Sequence, residues 1–338
     1  MPASTASWRR SLPVIVAAVA TVAAALLLWY LVDVVLLAFA GVLLALLLRA
    51  PADGLARRMP LSPGWALAVV VVVALSAAVA GLWLFGAGLA GQLGELVHKL
   101  PALVEGLKDR LAQYDWISSV LSSGDIAPNG KVIGRGIDAL AATFGAVTYL
   151  VVVLFTGLFL AAQPGLYVRG ALQLVPARAR PRARQVLHEL AHMLRSWLIG
   201  QVILMLAIGV VTFAGLTLLG VPMALALALL AGLLEFIPYL GPVLSAVPAL
   251  LVALSQSPVL AGYTLLLYVA IQGLEGHILQ PLVQRKTVSV PPALLLISQV
   301  VFGALVGVLG VMLATPATAA LLVVVKRLYV EDVLNERA

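Results

Sequence analysis

Three carboxylates lie in otherwise uncharged sequence, Asp33, Glu235 and Glu275, and they are the first candidates for chemistry. An ionised carboxylate inside a bilayer costs at least about 2.5 kcal/mol, so such a residue normally marks an ion path or a proton relay. Glu235 directly precedes Phe236-Ile237-Pro238-Tyr239-Leu240-Gly241-Pro242. Two prolines and a glycine break a helix there and free backbone carbonyls and amides. A carboxylate at the break can bind a cation or carry a proton; it can equally cap the broken helix or pair with an arginine. Tyr239 adds a hydroxyl and an aromatic face. Glu275 belongs to the polar stretch Gln272-Gly273-Leu274-Glu275-Gly276-His277-Ile278-Leu279-Gln280-Pro281. Gln272 and Glu275 are three apart and share a helix face, which can line a polar path or end a helix at the membrane surface. Asp33 separates two apolar runs and reads as part of an interfacial turn. Ser298, Gln299, Thr315 and Thr318 can hydrogen-bond within a bundle or line a pathway.

Two further patterns need weighing. His188-Glu189-Leu190-Ala191-His192 matches the zinc-hydrolase pattern H-E-x-x-H, in which two histidines on one helix face bind zinc and the glutamate acts as base. A catalytic zinc needs a third ligand, and the remaining histidines are only His98 and His277, with Glu235 and Glu275 as acidic options. The same stretch reads as an amphipathic surface helix through Leu187, Leu190, Leu194 and Trp197. Gly124 to Lys131 resembles a phosphate loop, but it has one residue too many between its glycines and Val132 where Ser or Thr holds magnesium. ATP hydrolysis is not expected. With no cysteine, disulfides and thiolate sites are excluded, and neither a cofactor nor a resident metal is expected.

The elements that hold these residues follow from composition. Of 338 residues 63% are hydrophobic and 10% charged, against about 25% charged in soluble domains. Residues 11–32, 34–48, 59–94, 139–168, 196–234, 236–274 and 287–325 contain no Asp, Glu, Lys or Arg. About 20 apolar residues in a helix cross a hydrocarbon core. Lipid admits only helices or closed barrels, and these runs are too long for barrel strands of about ten residues. The expected fold is all-α and polytopic, with about eight membrane-embedded helices. The last three runs hold 39 residues each, about 58 Å as straight helix, so none is one simple crossing. The final run starts after Lys286 and ends before Lys326 and must turn within the membrane, at Gly303, Gly307 and Gly310. Broken helices at membrane depth build substrate and ion sites in transporters.

Basic residues accumulate on cytoplasmic loops. Arg9 and Arg10, then Arg49, Arg57 and Arg58, six arginines in 169–195, Arg285 and Lys286, and Lys326, Arg327 and Arg337 form one set. This set places both termini inside and residues 91–140 outside, as an extracytoplasmic segment with an amphipathic helix from Leu93 to Leu111. The first apolar run is read as an uncleaved helix. The net charge of +7 reflects membrane topology, and nucleic acid is not an expected partner.

Glu235-Phe-Ile-Pro-Tyr-Leu-Gly-Pro242, Val247-Pro248-Ala249, Gln280-Pro281, Gly307-Val-Leu-Gly310 and Ala314-Thr-Pro316 together resemble the AI-2E transporter family. Gln280 stands where many members carry Glu, and Pro291-Pro292 replaces a His-Pro pair. The resemblance implies a multi-pass protein of the bacterial inner membrane. It implies a secondary transporter that exports a small polar solute such as autoinducer-2 with proton coupling, or a sodium (lithium)/proton antiporter, and a homo-oligomer such as a pentamer. Glu235, Pro238, Tyr239, Gly241, Pro242, Gln272, Glu275, Gln280, Pro281 and Gln299 are then the transport residues. The corresponding units are N-terminal membrane helices at 1–90, the outer segment 91–140, a membrane helix with a basic helix at 141–195, a transport core at 196–325 and a tail at 326–338. A membrane zinc hydrolase and a scaffold acting through 91–140 are the alternatives.

Overall fold

A computed structural model describes residues 31–111, 148–283, 290–332 and 334. The first apolar run up to residue 30, most of the outer segment, Arg285, Lys286 and the end of the tail lie outside the described residues. The described elements are helices: α1 (Val32–Arg58), α2 (Pro63–Leu111), α3 (Thr148–Ala162), α4 (Pro164–Gln173), α5 (Arg180–Leu218), α6 (Ala224–Leu234), α7 (Leu240–Gln256), α8 (Pro258–Leu274), α9 (Pro292–Val306) and α10 (Val308–Val324). Five helices are long and apolar enough to cross a membrane, and α3 with α4, bent by 90°, makes a sixth at most. The chain is an all-α polytopic membrane protein.

The helices α6, α7 and α9 have 11, 17 and 15 residues. At 1.5 Å per residue, each falls short of a hydrocarbon core of about 30 Å. They form hairpins instead. The final run turns back at Gly307, whose φ of 68° and ψ of −143° belong to a region open essentially to glycine. A Cβ on Gly310 would lie 1.9 Å from the Phe302 carbonyl oxygen, so the two arms of this hairpin pack backbone to backbone. The second hairpin, α6 and α7, folds at the break after Glu235. Ser257 ends it, accepting a hydrogen bond from the Leu260 amide at 3.1 Å with Pro258 at the first position of α8, a regular helix start.

Charge pairs gather at one end of the bundle. Arg49 donates to the Ala161 and Ala162 carbonyls at 2.7 and 3.3 Å and so caps α3. Arg195 of α5 reaches Asp53 at 2.8 Å and the Ala50 carbonyl at 2.6 Å on α1. Arg182 meets Glu331 and Asp332 at 3.1 and 2.9 Å, and Arg327 meets Glu189 and Glu331 at 2.8 and 2.7 Å. The Arg327 guanidinium, followed by that of Arg182, holds the Glu331 carboxyl below its ordinary range. Contacts far from this end fix the other one: Gln92, about 44 Å along α2, accepts from the Ala226 amide at 3.1 Å. Hairpin α6–α7 therefore enters from the end opposite the basic clusters, while α9–α10 enters from the basic end.

Three apolar clusters hold this arrangement. One joins α2, α5, α6, α7 and α8 around Leu216, Leu227 and Val252. Another joins α1, α5 and α10 around Leu36, Trp197 and Leu313, and a third joins α1, α2 and α3 around Ala52, Ala66 and Ala161. The sequence divisions at 90 and 195 pass through α2 and α5, each a continuous rod; the outer amphipathic stretch up to Leu111 extends a spanning helix.

Two outcomes follow. Gly310→Val lowers stability by about 1–3 kcal/mol through overpacking, seen as a lower melting temperature of the purified protein, whereas Gly262→Ala, inside α8 with nothing within 4 Å of the added carbon, raises it by about 0.5–1 kcal/mol. Because the Glu331 carboxyl is depressed, its contribution is present at neutral pH and is lost as pH falls below the ordinary carboxylate value of 4.5. Spin labels at Leu187 and Leu334 should then show a longer or broader distance at acid pH; an unchanged distance counts against the ion-pair clasp.

Candidate transport site

Helix α6 stops at Leu234 because the chain tightens there: Phe236 and Ile237 donate to the Leu233 and Leu234 carbonyls at 3.2 and 2.9 Å, and Pro238 has no amide to continue. The Leu240 amide then donates to the Pro238 carbonyl at 2.8 Å across Tyr239, which has φ 66° and ψ −50°. This is a γ-turn of the rare, strained hand. Gly241 follows where a Cβ would lie 1.9 Å from the Leu234 carbonyl oxygen, so glycine lets α7 start directly over the end of α6. Phe236 packs edge-on against Trp197, with centroids 5.7 Å apart, and fixes the tip to α5.

Backbone carbonyls freed by this break find side-chain donors from two other helices. Gln201 of α5 donates its amide to the Glu235 carbonyl at 2.5 Å, and Gln299 of α9 donates to the Pro238 carbonyl at 2.9 Å. Both glutamines are 1% exposed. The tip of one hairpin is thus held by a spanning helix on one side and by the opposed hairpin on the other.

The Glu235 side chain, also buried, neighbours the Glu275 carboxyl. Glu275 accepts from Gln272 at 2.8 Å on one oxygen and from Gln280 at 2.7 Å on the other. The π-helical turn Glu275–Leu279, a form that concentrates at functional sites, widens α8 where it meets the tip. Ionised carboxylates only accept hydrogen bonds. Two neighbouring carboxyl groups therefore bond to each other only when one of them carries a proton, and both oxygens of Glu275 are already held by amides.

A cavity of about 320 Å³ opens beside this pair, lined by Gln201, Glu235, Tyr239, Gln280 and Thr315 among others. Two oxygens of the lining, Gln201 Oε1 and Thr315 Oγ1, have no hydrogen-bond partner among the described residues; Gln299 Oε1 and Thr212 Oγ1, outside the lining, have none there either. The amide and carboxyl oxygens are acceptors, so the site suits a ligand that donates hydrogen bonds or carries positive charge.

The sequence model of the AI-2E family transporters matches residues 15–329. The chain belongs to this family. Among relatives, "Putative transport protein YueF" of Bacillus subtilis is 28% identical over 242 residues, 69% of this chain and 66% of its own. "Putative transport protein YrrI" of the same organism is 32% identical over 148 residues, 44% of this chain and 42% of its own. "Putative permease PerM" of Escherichia coli is 28% identical over 224 residues, covering 65% and 62%. The matches span less than two thirds of the length of each of these three relatives.

Within this AI-2E family member the structure assembles most of the residues that sequence singled out. Glu235, Pro238, Tyr239, Gln280 and Pro281 line the cavity; Glu275 and Gln272 join through hydrogen bonds, and Gln299 joins through the tip. Pro242 sits in the first turn of α7, outside the cavity lining, with its carbonyl accepting from Ser245 at 3.0 Å. Asp33 lies exposed in the first turn of α1, at a separate apolar cavity of about 790 Å³. Gln201 was missed, although it is the one amide side chain in the run 196–234. The HExxH stretch lies on α5, where Glu189 is ion-paired with Arg327, and among the described residues no group of three potential ligands assembles.

Gln201→Leu conserves volume but leaves the buried Glu235 carbonyl unpaired. Its expected cost is about 1–3 kcal/mol, together with reduced transport; denaturant or thermal unfolding of the reconstituted protein measures the first, and full stability would contradict the clamp.

Proposed function

We propose that this protein is a proton-coupled secondary transporter that exports a small polar solute, with autoinducer-2 as the representative substrate. The observation that carries this reading is the Glu235–Glu275 carboxyl pair at a helix break, beside a cavity with unpartnered acceptor oxygens. A volume of about 320 Å³ is at the lower end for small-molecule sites, and a hydroxyl-bearing solute can donate to the Gln201 amide oxygen and exchange hydrogen bonds with the Tyr239 and Thr315 hydroxyls of the lining.

Coupling follows from electrostatics. With one shared proton the pair can hydrogen-bond; without it the two groups carry like charges, and unit charges at contact range of about 4 Å repel by ~4 kcal/mol at an effective dielectric near 20. An energy of that size shifts a two-state equilibrium about a thousandfold. The element that can respond is the strained tip at Tyr239, clamped by Gln201 and Gln299 on two different helices. Proton loss pushes the tip away from α8 and proton return restores the contact, so the cavity's access alternates with protonation. Placement in the inner membrane, both termini on the cytoplasmic side and assembly as a homo-oligomer such as a pentamer belong to the same proposal, supported by the basic clusters that meet at one end of the bundle and by the family resemblance.

A second reading, sodium or lithium exchange for protons, is favoured by the orphaned oxygens themselves, since hard monovalent cations take oxygen ligands. Proteoliposomes separate the two. Proton movement driven by sodium alone supports antiport, and proton movement that requires the organic solute supports export. Glu235→Gln keeps the size of the side chain and removes its titration, so proton-coupled flux is expected to fall at least tenfold. If the variant matched the wild type for every solute and cation assayed, the coupling role of Glu235 would be lost.

A further inference from the structure

At the basic end, α3 packs in the bundle against α1 and α2 through Ala161 and Leu160, and Arg49 caps its last carbonyls. The chain then bends by 90° into α4, which turns α4 across the axis of α3 at this end of the bundle. Of its ten residues only Leu172 is buried. Leu166, Tyr167 and Val168 are exposed, and Leu174 directly after it is 89% exposed. An amphipathic helix in that position covers its apolar side chains with the acyl and headgroup boundary of a bilayer.

The charges around α4 are of one sign. No Asp or Glu occurs between Asp138 and Glu189, while Arg169, Arg178, Arg180, Arg182 and Arg184 fall in that interval. Two of them are engaged: Arg180 donates to the Val175 and Gln173 carbonyls at 3.1 and 3.4 Å, fastening the end of α4, and Arg182 holds Glu331 and Asp332. Arg169, Arg178 and Arg184 are exposed and make no hydrogen bond or ion pair with the described residues. The Arg169 guanidinium lies back over Gly165, 3.5 Å from where a Cβ would stand, at the elbow between α3 and α4.

We propose that this elbow is a binding surface for anionic phospholipids, with Leu166, Tyr167, Val168 and Leu174 in the interface and Arg169, Arg178 and Arg184 on lipid phosphates. Guanidinium groups pair with phosphate in a bidentate manner, and a basic residue at a lipid surface contributes about 1 kcal/mol, or ~fivefold in affinity. The surface is separate from the transport site and does not depend on what that site carries.

The test uses the full chain in nanodiscs of phosphatidylcholine containing a minority of phosphatidylglycerol, with the lipids that remain after re-extraction counted by mass spectrometry. The wild type is expected to retain phosphatidylglycerol in excess of its share. Replacing Arg169, Arg178 and Arg184 together by Gln should remove that enrichment, each single replacement lowering it ~fivefold, and replacement by Lys should retain part of it. Arg57→Gln with Arg58→Gln, at the same end of the bundle, should leave it intact. The singles keep the test decisive if the triple variant does not fold. Unchanged enrichment in all three singles, an equal loss in the Arg57/Arg58 variant, or full competition by millimolar inorganic phosphate would each overturn the proposal.

Discussion

The rest of the structure depends on one requirement: a polar backbone that leaves its helix inside a membrane must be hydrogen-bonded by something other than water. The five residues from Glu235 to Tyr239 are where this protein meets it. Two carbonyls released there are taken by Gln201 and Gln299, which sit on helices otherwise distant in sequence. Those bonds bring α5, the α6–α7 hairpin and the α9–α10 hairpin to one point. The cavity exists because side chains chosen to satisfy backbone, and not simply to fill volume, meet around it.

The same residues store strain and charge together. Tyr239 has a positive φ although it is not glycine, and such a turn persists only while its surroundings over-determine it. Beside it, two carboxyl groups share a contact that a single proton makes favourable. Gln272 and Gln280 occupy both oxygens of Glu275, whereas Glu235 belongs to the break itself. The carboxyl pair and the strained backbone are therefore within one turn of each other.

Much of this was legible in the chain. Low charge content named the solvent, the uncharged runs of 39 residues announced broken crossings, and the Lys286-to-Lys326 interval required a turn that the structure places at Gly307. The proline-glycine break at 236–242 located the tip, and Gln272, Glu275 and Gln280 were marked by polarity among apolar neighbours. Gln201 escaped because one amide in a long apolar helix carries no local pattern; its role is defined by Glu235, which lies 34 residues away. The HExxH match illustrates the opposite limit, since helix spacing alone produces two histidines on one face, whereas a third ligand, which does not assemble among the described residues, and the partner Arg327 of Glu189 are tertiary facts.

By itself, then, the sequence determined what is local or cumulative: membrane residence, helix content, the positions of the breaks and the family. Lipid makes those properties readable, because the cost of a buried charge or an open backbone group is set residue by residue. Only the tertiary structure decided that Glu235 and Glu275, 40 residues apart, face each other, that two hairpins enter from opposite ends, and that the freed carbonyls are met by Gln201 and Gln299. Those are pairings between distant segments, and hydrogen-bond partners in a bundle are selected by how helices pack in three dimensions, which no periodicity in a single chain encodes.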